Sequence, residues 1–166
     1  MIPVADLNRL PFEEFVVAVG WVFEHSPWVA ERAWSARPFS GVEHLHREMV
    51  WAVEGASREE QLALLREHPD LGTRARMSAS SSSEQAGAGL DALSAEEFER
   101  LQRLNRAYRE KFGFPFLLAV KGADKTQILN ALSLRYHAAA KDEFREALQQ
   151  VYRIARFRLQ DTIKDA

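Results

Sequence analysis

The chain has 166 residues, 46% hydrophobic and 28% charged, with a formal net charge of −2 and no cysteine. At this length about two-thirds of the unfolded surface can be buried, so one ordinary core suffices without disulfide or metal staples. The missing cysteines exclude a disulfide framework, a thiolate nucleophile and a thiolate zinc site, and interspersed charges of both signs argue against nucleic acid or an anionic membrane as partner.

The opening MIPVADLNRL lacks the layout of a signal peptide, and no apolar run approaches the roughly 18 residues of a membrane span. The expectation is a single domain over 1–166, with no membrane partner and a cytoplasmic location. After Pro11, a good first-turn residue, Phe12, Phe15, Val16 and Val22-Phe23 mark an apolar-faced helix. Trp28 to Trp34 and Val42 to Val53 predict two more. Ser57 with Glu60 has the spacing of a capping box, in which hydroxyl and carboxylate each satisfy an amide left unpaired at a helix start; that helix runs to about Glu67.

Ser78 to Ser83 is a serine-rich run followed by Glu84-Gln85, and Ser81 with Glu84 again has capping-box spacing ahead of a short helix through Gln85. Ser94 with Glu97 repeats the device before Phe98, Leu101, Leu104, Tyr108 and Phe112, and Gly113 is placed to close that helix in a left-handed cap. Asp124 with Gln127 opens a helix carrying Ile128, Leu129, Leu132 and Tyr136, and a last long helix covers about Lys141 to Ile163. Between them, the apolar run at 114–120 contains Pro115 and is bounded by glycines, which predicts a short, buried, extended segment. The expected fold is therefore all-α, a bundle of about eight helices with one extended stretch whose peptide groups must find partners outside any sheet.

Three polar residues invite a chemical reading, each beside a plainer one. His68 follows a helix end and precedes Pro69, which restricts its backbone; its imidazole titrates near neutrality and suits a positioned acid or base, or it merely caps its helix. Glu84 belongs to the capping-box spacing, yet a serine-rich helix start also presents donors to a polar or anionic ligand. In the last helix Phe144, Ala147-Leu148, Val151, Ile154-Ala155 and Thr162 define the inward face, and Arg158 falls on it while Arg153 and Arg156 do not. An inward guanidinium must be answered by a protein carboxylate or by a ligand, unless its head snorkels outward. His44 and His46 stand two apart in a predicted helix and point to different faces, and no HExxH, carboxylate cluster or phosphate loop is present, so no metal site is expected.

Taken together, several segments resemble the 2-oxo-4-hydroxy-4-carboxy-5-ureidoimidazoline (OHCU) decarboxylases. They are His68-Pro69-Asp70-Leu71-Gly72, then Ser81-x-x-Glu84-Gln85-x-x-Ala88-Gly89-Leu90, then Leu104-Asn105-x-x-Tyr108-x-x-Lys111-Phe112-Gly113-Phe114-Pro115-Phe116, then Ala119-Val120-x-Gly122 and Ile154-Ala155-x-x-Arg158-Leu159. The resemblance implies an all-helical protein, often a homodimer, that needs neither metal nor organic cofactor and makes (S)-allantoin in urate breakdown. It implies His68 as catalytic acid/base with Glu84 and Arg158 beside it, and substrate contacts from Pro69, from Ser81, Ser82, Ser83, Glu84 and Gln85, and from main-chain groups of Phe116, Leu117, Leu118, Ala119 and Val120. Two other readings stay open: a non-catalytic helical domain that binds a purine-derived ligand, and a lyase or hydrolase acting on another cyclic ureide.

Overall fold

Helix punctuation decides the architecture, and it works as the spacing predicts at three places. Ser57, Ser94 and Asp124 each accept the amide three residues on, and Glu60, Glu97 and Gln127 reach back to the cap amide, so each box satisfies two amides that a helix start leaves unpaired. A computed structural model describes residues 1–72 and 78–166 of the chain. The fold is all-α: nine helices lie among the described residues, with about eight expected.

These are α1 (Val4–Leu7), α2 (Phe12–Val19), α3 (Trp28–Ala33), α4 (Val42–Glu54), α5 (Arg58–Arg66), α6 (Ala79–Gly87), α7 (Ala95–Phe112), α8 (Lys125–Arg135) and α9 (Ala140–Thr162). α7 closes as expected on Gly113, whose φ of 83° is a left-handed cap that costs glycine nothing. Two details differ from the sequence reading. α2 stops at Val19 and tightens into a 3-10 turn over Gly20–Val22. The predicted Ser81–Glu84 capping box does not form. Ser78 is the cap instead, its hydroxyl accepting the Ser81 amide, so the helix begins at Ala79 and both Ser81 and Glu84 lie inside it. With five serines between 78 and 83, the spacing alone does not say which one caps.

Neither α1 nor the two-residue strands were foreseen: Ile2–Pro3 (β1) pairs in parallel with Ile163–Lys164 (β2). Such short pairing leaves no periodicity to read.

The chain forms two compact units, Met1–Glu67 with Val151–Ala166, and His68–Gln150. In the first, Phe15, Phe23, Leu45, Met49, Leu64 and Leu65 are fully buried, and Phe15 stacks on Phe39 with ring centroids 5.8 Å apart. In the second, Leu101, Ile128 and Leu132 are fully buried around Tyr108, whose ring meets those of Phe112, Phe114 and Phe116 at 4.6, 6.0 and 5.4 Å. Among the described residues no helix is long and apolar enough to cross a membrane.

The box at α7 also ties α8: Glu97 accepts from Lys125 Nζ at 2.8 Å and from the Ser94 amide at 2.9 Å, and these donors, the lysine first, hold its carboxyl at about 2 against 4.5 for the free side chain. A carboxyl lowered on folding stabilises above its unfolded pKa and loses that contribution as pH falls from 4.5 towards 2. Glu97→Gln keeps the cap but not the charge. Its Tm should lie below wild type at pH 7, and the gap should narrow from about pH 5 and close near pH 2 in parallel melts; a gap independent of pH would show that the carboxylate is not held low.

Candidate active site

His68 leaves α5 one residue after its C-cap and is 6% exposed. The loop that follows is fastened to α6 and α7 by side chains. Asn105, in the middle of α7, donates from Nδ2 to the Leu71 carbonyl at 2.8 Å; the Gly72 amide donates to Gln85 Oε1 at 2.7 Å; Arg109 Nη2 donates to Asp70 Oδ1 at 3.1 Å. Asn105 and Gln85 are both buried, so the first two bonds are shielded from water. Gly72 has φ of 70°, and a Cβ there would stand 2.3 Å from Leu101 Cδ2, an approach that glycine alone permits. The backbone carrying the imidazole is thus fixed on three sides, with Pro69 limiting the remaining freedom.

α6 presents its polar residues on two faces. Ser81 and Gln85, one turn apart, are buried; Glu84 is half-buried; Ser82 and Ser83 are exposed. Gln85, beside Glu84, is the residue that holds the Gly72 amide, so α6 and the His68 loop are joined directly.

The segment after α7 is buried and extended, as the glycine-bounded run suggested, with only Leu118 half-exposed from Phe114 to Val120. Its peptide groups are answered by side chains. The Leu117 carbonyl accepts from Arg135 Nη1 at 2.6 Å, and the Ala119 amide donates to Gln150 Oε1 at 3.0 Å. The Val120 carbonyl closes a turn with the Ala123 amide at 3.0 Å.

Arg158 belongs to the first unit and is 4% exposed, while Arg153 and Arg156 are exposed, as the periodicity of the last helix requires. A protein carboxylate answers it: Nη2 meets Glu24 Oε2 at 3.0 Å, and Glu24 is 2% exposed. The carbonyls of Val22 and Trp21 lie 3.4 and 3.5 Å from Nη1. Glu24 was not singled out in the sequence. Its signal is faint, a carboxylate ending an apolar run, and its partner is 134 positions away. The backbone turns there through His25 at φ 46°, a left-handed conformation in which Glu24 faces inward while the exposed His25 keeps Nε2 3.7 Å from Glu24 Oε1.

His44 and His46 take separate partners, in keeping with their spacing. His44 Nδ1 accepts the Ser40 amide at 2.9 Å, and His46 Nε2 donates to the Tyr152 carbonyl at 2.8 Å, with burial lowering the His46 pKa. Among the described residues no three His, Asp or Glu side chains gather where a metal ion could be held.

Comparison with known proteins gives a concordant result. The OHCU decarboxylase family profile matches residues 8–160. A 2-oxo-4-hydroxy-4-carboxy-5-ureidoimidazoline decarboxylase of Haloferax volcanii is 53% identical over 154 residues, covering 93% of this chain and 92% of that protein. The uric acid degradation bifunctional protein PucL of Bacillus subtilis is 46% identical over 165 residues, 99% of this chain but 33% of its own length. Among solved structures, an (S)-allantoin synthase superposes with a TM-score of 0.80 at 34% identity, covering 99% of this chain and 54% of that one. Coverage of nearly the whole chain by both the profile and a relative of about its own length leads to one conclusion: this chain belongs to the OHCU decarboxylase family.

Proposed function

We propose that this chain decarboxylates 2-oxo-4-hydroxy-4-carboxy-5-ureidoimidazoline to (S)-allantoin in urate breakdown, using neither metal nor organic cofactor, with His68 as acid/base. The observation that carries the reading is His68 itself: a buried imidazole on a loop that three side chains fasten, in a chain 53% identical to a named decarboxylase. Work of this kind takes place in the cytoplasm in this reading, by a homodimer.

The chemistry follows from the substrate. One ring carbon bears both the carboxylate and a hydroxyl, and the neighbouring carbon forms the imine. As the bond to the carboxylate breaks, carbon dioxide leaves and its electron pair moves into the ring, forming a carbon–carbon double bond and placing charge on the imine nitrogen. The charged ring nitrogen takes up a proton from solvent, the hydroxyl must give up its own proton to become the carbonyl of the product, and the neighbouring carbon must receive one on a single face. His68 is placed in both transfers, because an imidazole can take the first proton and deliver the second near neutral pH. Glu84 fixes the tautomer of His68 or a ring N–H. Arg158 supplies positive charge for the substrate oxygens, Pro69 and the α6 residues Ser81 to Gln85 border the substrate, and the main chain of Phe116 to Val120 holds its ring amides.

The direct test generates the substrate in place from urate and follows the circular dichroism of allantoin. Addition of the protein should produce one enantiomer at an accelerated rate; a racemic product at the spontaneous rate leaves a binding domain at most. Positioned proton transfer is worth about 10²–10⁴-fold, so His68→Gln should lose at least ~10²-fold in kcat with an unchanged thermal midpoint. Retained turnover would remove His68 from the mechanism.

Arg158 requires a test that separates charge pairing from chemistry. Arg158→Met removes the guanidinium from beside the buried Glu24 carboxylate and should cost about 3–5 kcal/mol of stability in urea denaturation. The double variant Glu24→Gln/Arg158→Met removes both charges and should regain most of that loss while remaining poorly active. Full activity per folded molecule in the double variant would make the arginine purely structural.

A further inference from the structure

The second unit contains a buried polar cluster that the reaction does not use. Tyr108 of α7 donates from its hydroxyl to Glu143 Oε1 at 2.5 Å, and Arg135 of α8 donates from Nε to the same oxygen at 2.7 Å. Burial first, and then the Glu143 carboxylate, push the Tyr108 hydroxyl far above its ordinary pKa, so it stays a donor at any working pH. The Arg135 guanidinium also lies 4.5 Å from the centre of the Phe116 ring, and Nη1 holds the Leu117 carbonyl. One residue is therefore gripped by a carboxylate and an aromatic face while it grips the main chain. Gln150 of α9 is held in a similar way: its Nε2 donates to Glu146 Oε1 at 2.8 Å, which turns Oε1 to the Ala119 amide. Without Glu146 the amide would be as free to turn its nitrogen there, and an N–H facing an N–H would repel.

We propose that Arg135 and Gln150 are positioning residues that hold Leu117 and Ala119 so that Leu118, between them, presents its own N–H and C=O to a ring amide of the substrate. In a trans peptide the C=O of one residue and the N–H of the next point to opposite sides. Arg135 and Gln150 take the groups of Leu117 and Ala119 on the side of α8 and α9, which directs those of Leu118 the opposite way. Leu118 is also the one half-exposed residue from Phe114 to Val120, and among the described residues none hydrogen-bonds its N–H or C=O. A cyclic ureide carries an N–H beside a C=O, the complement of that donor and acceptor pair. Stability alone does not explain the frame. A buried ion pair commonly gives no more than a hydrophobic replacement would, whereas a fixed direction for two peptide groups needs polar side chains that are themselves held.

The inference rests on the reading that main-chain groups of Phe116 to Val120 bind the substrate ring, and the test keeps the two apart. Backbone amide spectra of the wild-type protein are recorded during titration with (S)-allantoin, and rates are measured with substrate generated from urate. Gln150→Met and Arg135→Met serve as variants, with Arg135→Lys as the conservative one in case Arg135→Met fails to fold. The expected result is a shift of the Leu118 amide on titration in wild type. KM and the allantoin Kd should rise about tenfold in Gln150→Met, the loss expected when a hydrogen bond of ordinary strength is no longer presented. kcat should stay within threefold, and the pH profile, which reports His68, should not move. Arg135→Lys should fall between wild type and Arg135→Met. A folded Gln150→Met with KM and Kd within twofold of wild type overturns the positioning role. If wild type turns over substrate but allantoin leaves the amides of 116–120 unmoved, the main-chain contact is wrong and the positioning role falls with it, while the decarboxylase reading stands.

Discussion

A peptide group outside helix or sheet has no built-in partner, and two buried stretches of the second unit, His68–Gly72 and Phe116–Val120, lie outside both. Each N–H and C=O there has to be met by something specific, since leaving one unmet in the interior costs about 1–3 kcal/mol. Four side chains on helices supply much of the answer: Asn105 and Gln85 for the first stretch, Arg135 and Gln150 for the second. Polar residues in the interior of a helical bundle would otherwise be hard to account for. Here they replace the neighbouring strand that an extended segment normally has, one bond at a time. A strand would have repeated the same pattern along its length; side chains answer chosen groups and leave the rest facing elsewhere, which is the freedom a binding site needs.

The first unit meets a different demand, that of a buried charge. Arg158 and Glu24 are both almost fully enclosed, and taking two such ions out of water costs several kcal/mol each before their attraction is counted. The pair holds because the 3.0 Å contact is direct and because Glu24 is delivered by a backbone that turns left-handed at His25. A guanidinium held at Nη2 by a carboxylate and at Nη1 by carbonyls keeps its planar fork oriented.

Local chemistry made most of the helices legible. A capping box needs only four consecutive residues, so Ser57, Ser94 and Asp124 announced their helices without knowledge of anything distant, and Gly113 announced an end. The serine run defeated the same rule because several candidates compete and the winner, Ser78, was outside the spacing that drew attention. Arg158 was found because helical periodicity reports direction; Glu24 was missed because it lies in a turn, where there is no period, and its meaning comes from a residue at the other end of the chain. The parallel pair of Ile2–Pro3 with Ile163–Lys164 was hidden for the same reason. The extended segment at 114–120 was readable from Pro115 and the flanking glycines, but which helices would satisfy its peptide groups was not, because Arg135 and Gln150 look like ordinary helix residues until their distance partners are known.

The last helix joins these points. Glu143, Gln150 and Arg158 are separated by seven and eight residues, so on an ideal helix they fall within an arc of roughly 80°. Ala147 lies in that arc, and Val151 and Ala155 follow on one side of it, all buried. Read as hydrophobicity alone, the face is a core stripe with three faults. Each fault has its own partner: Glu143 takes Tyr108 and Arg135, Gln150 takes the Ala119 amide, and Arg158 takes Glu24. A stripe built only for packing would have no reason to carry the desolvation cost of three such groups. The polar residues of an inward helical face are therefore where this chain departs from what packing alone asks of it.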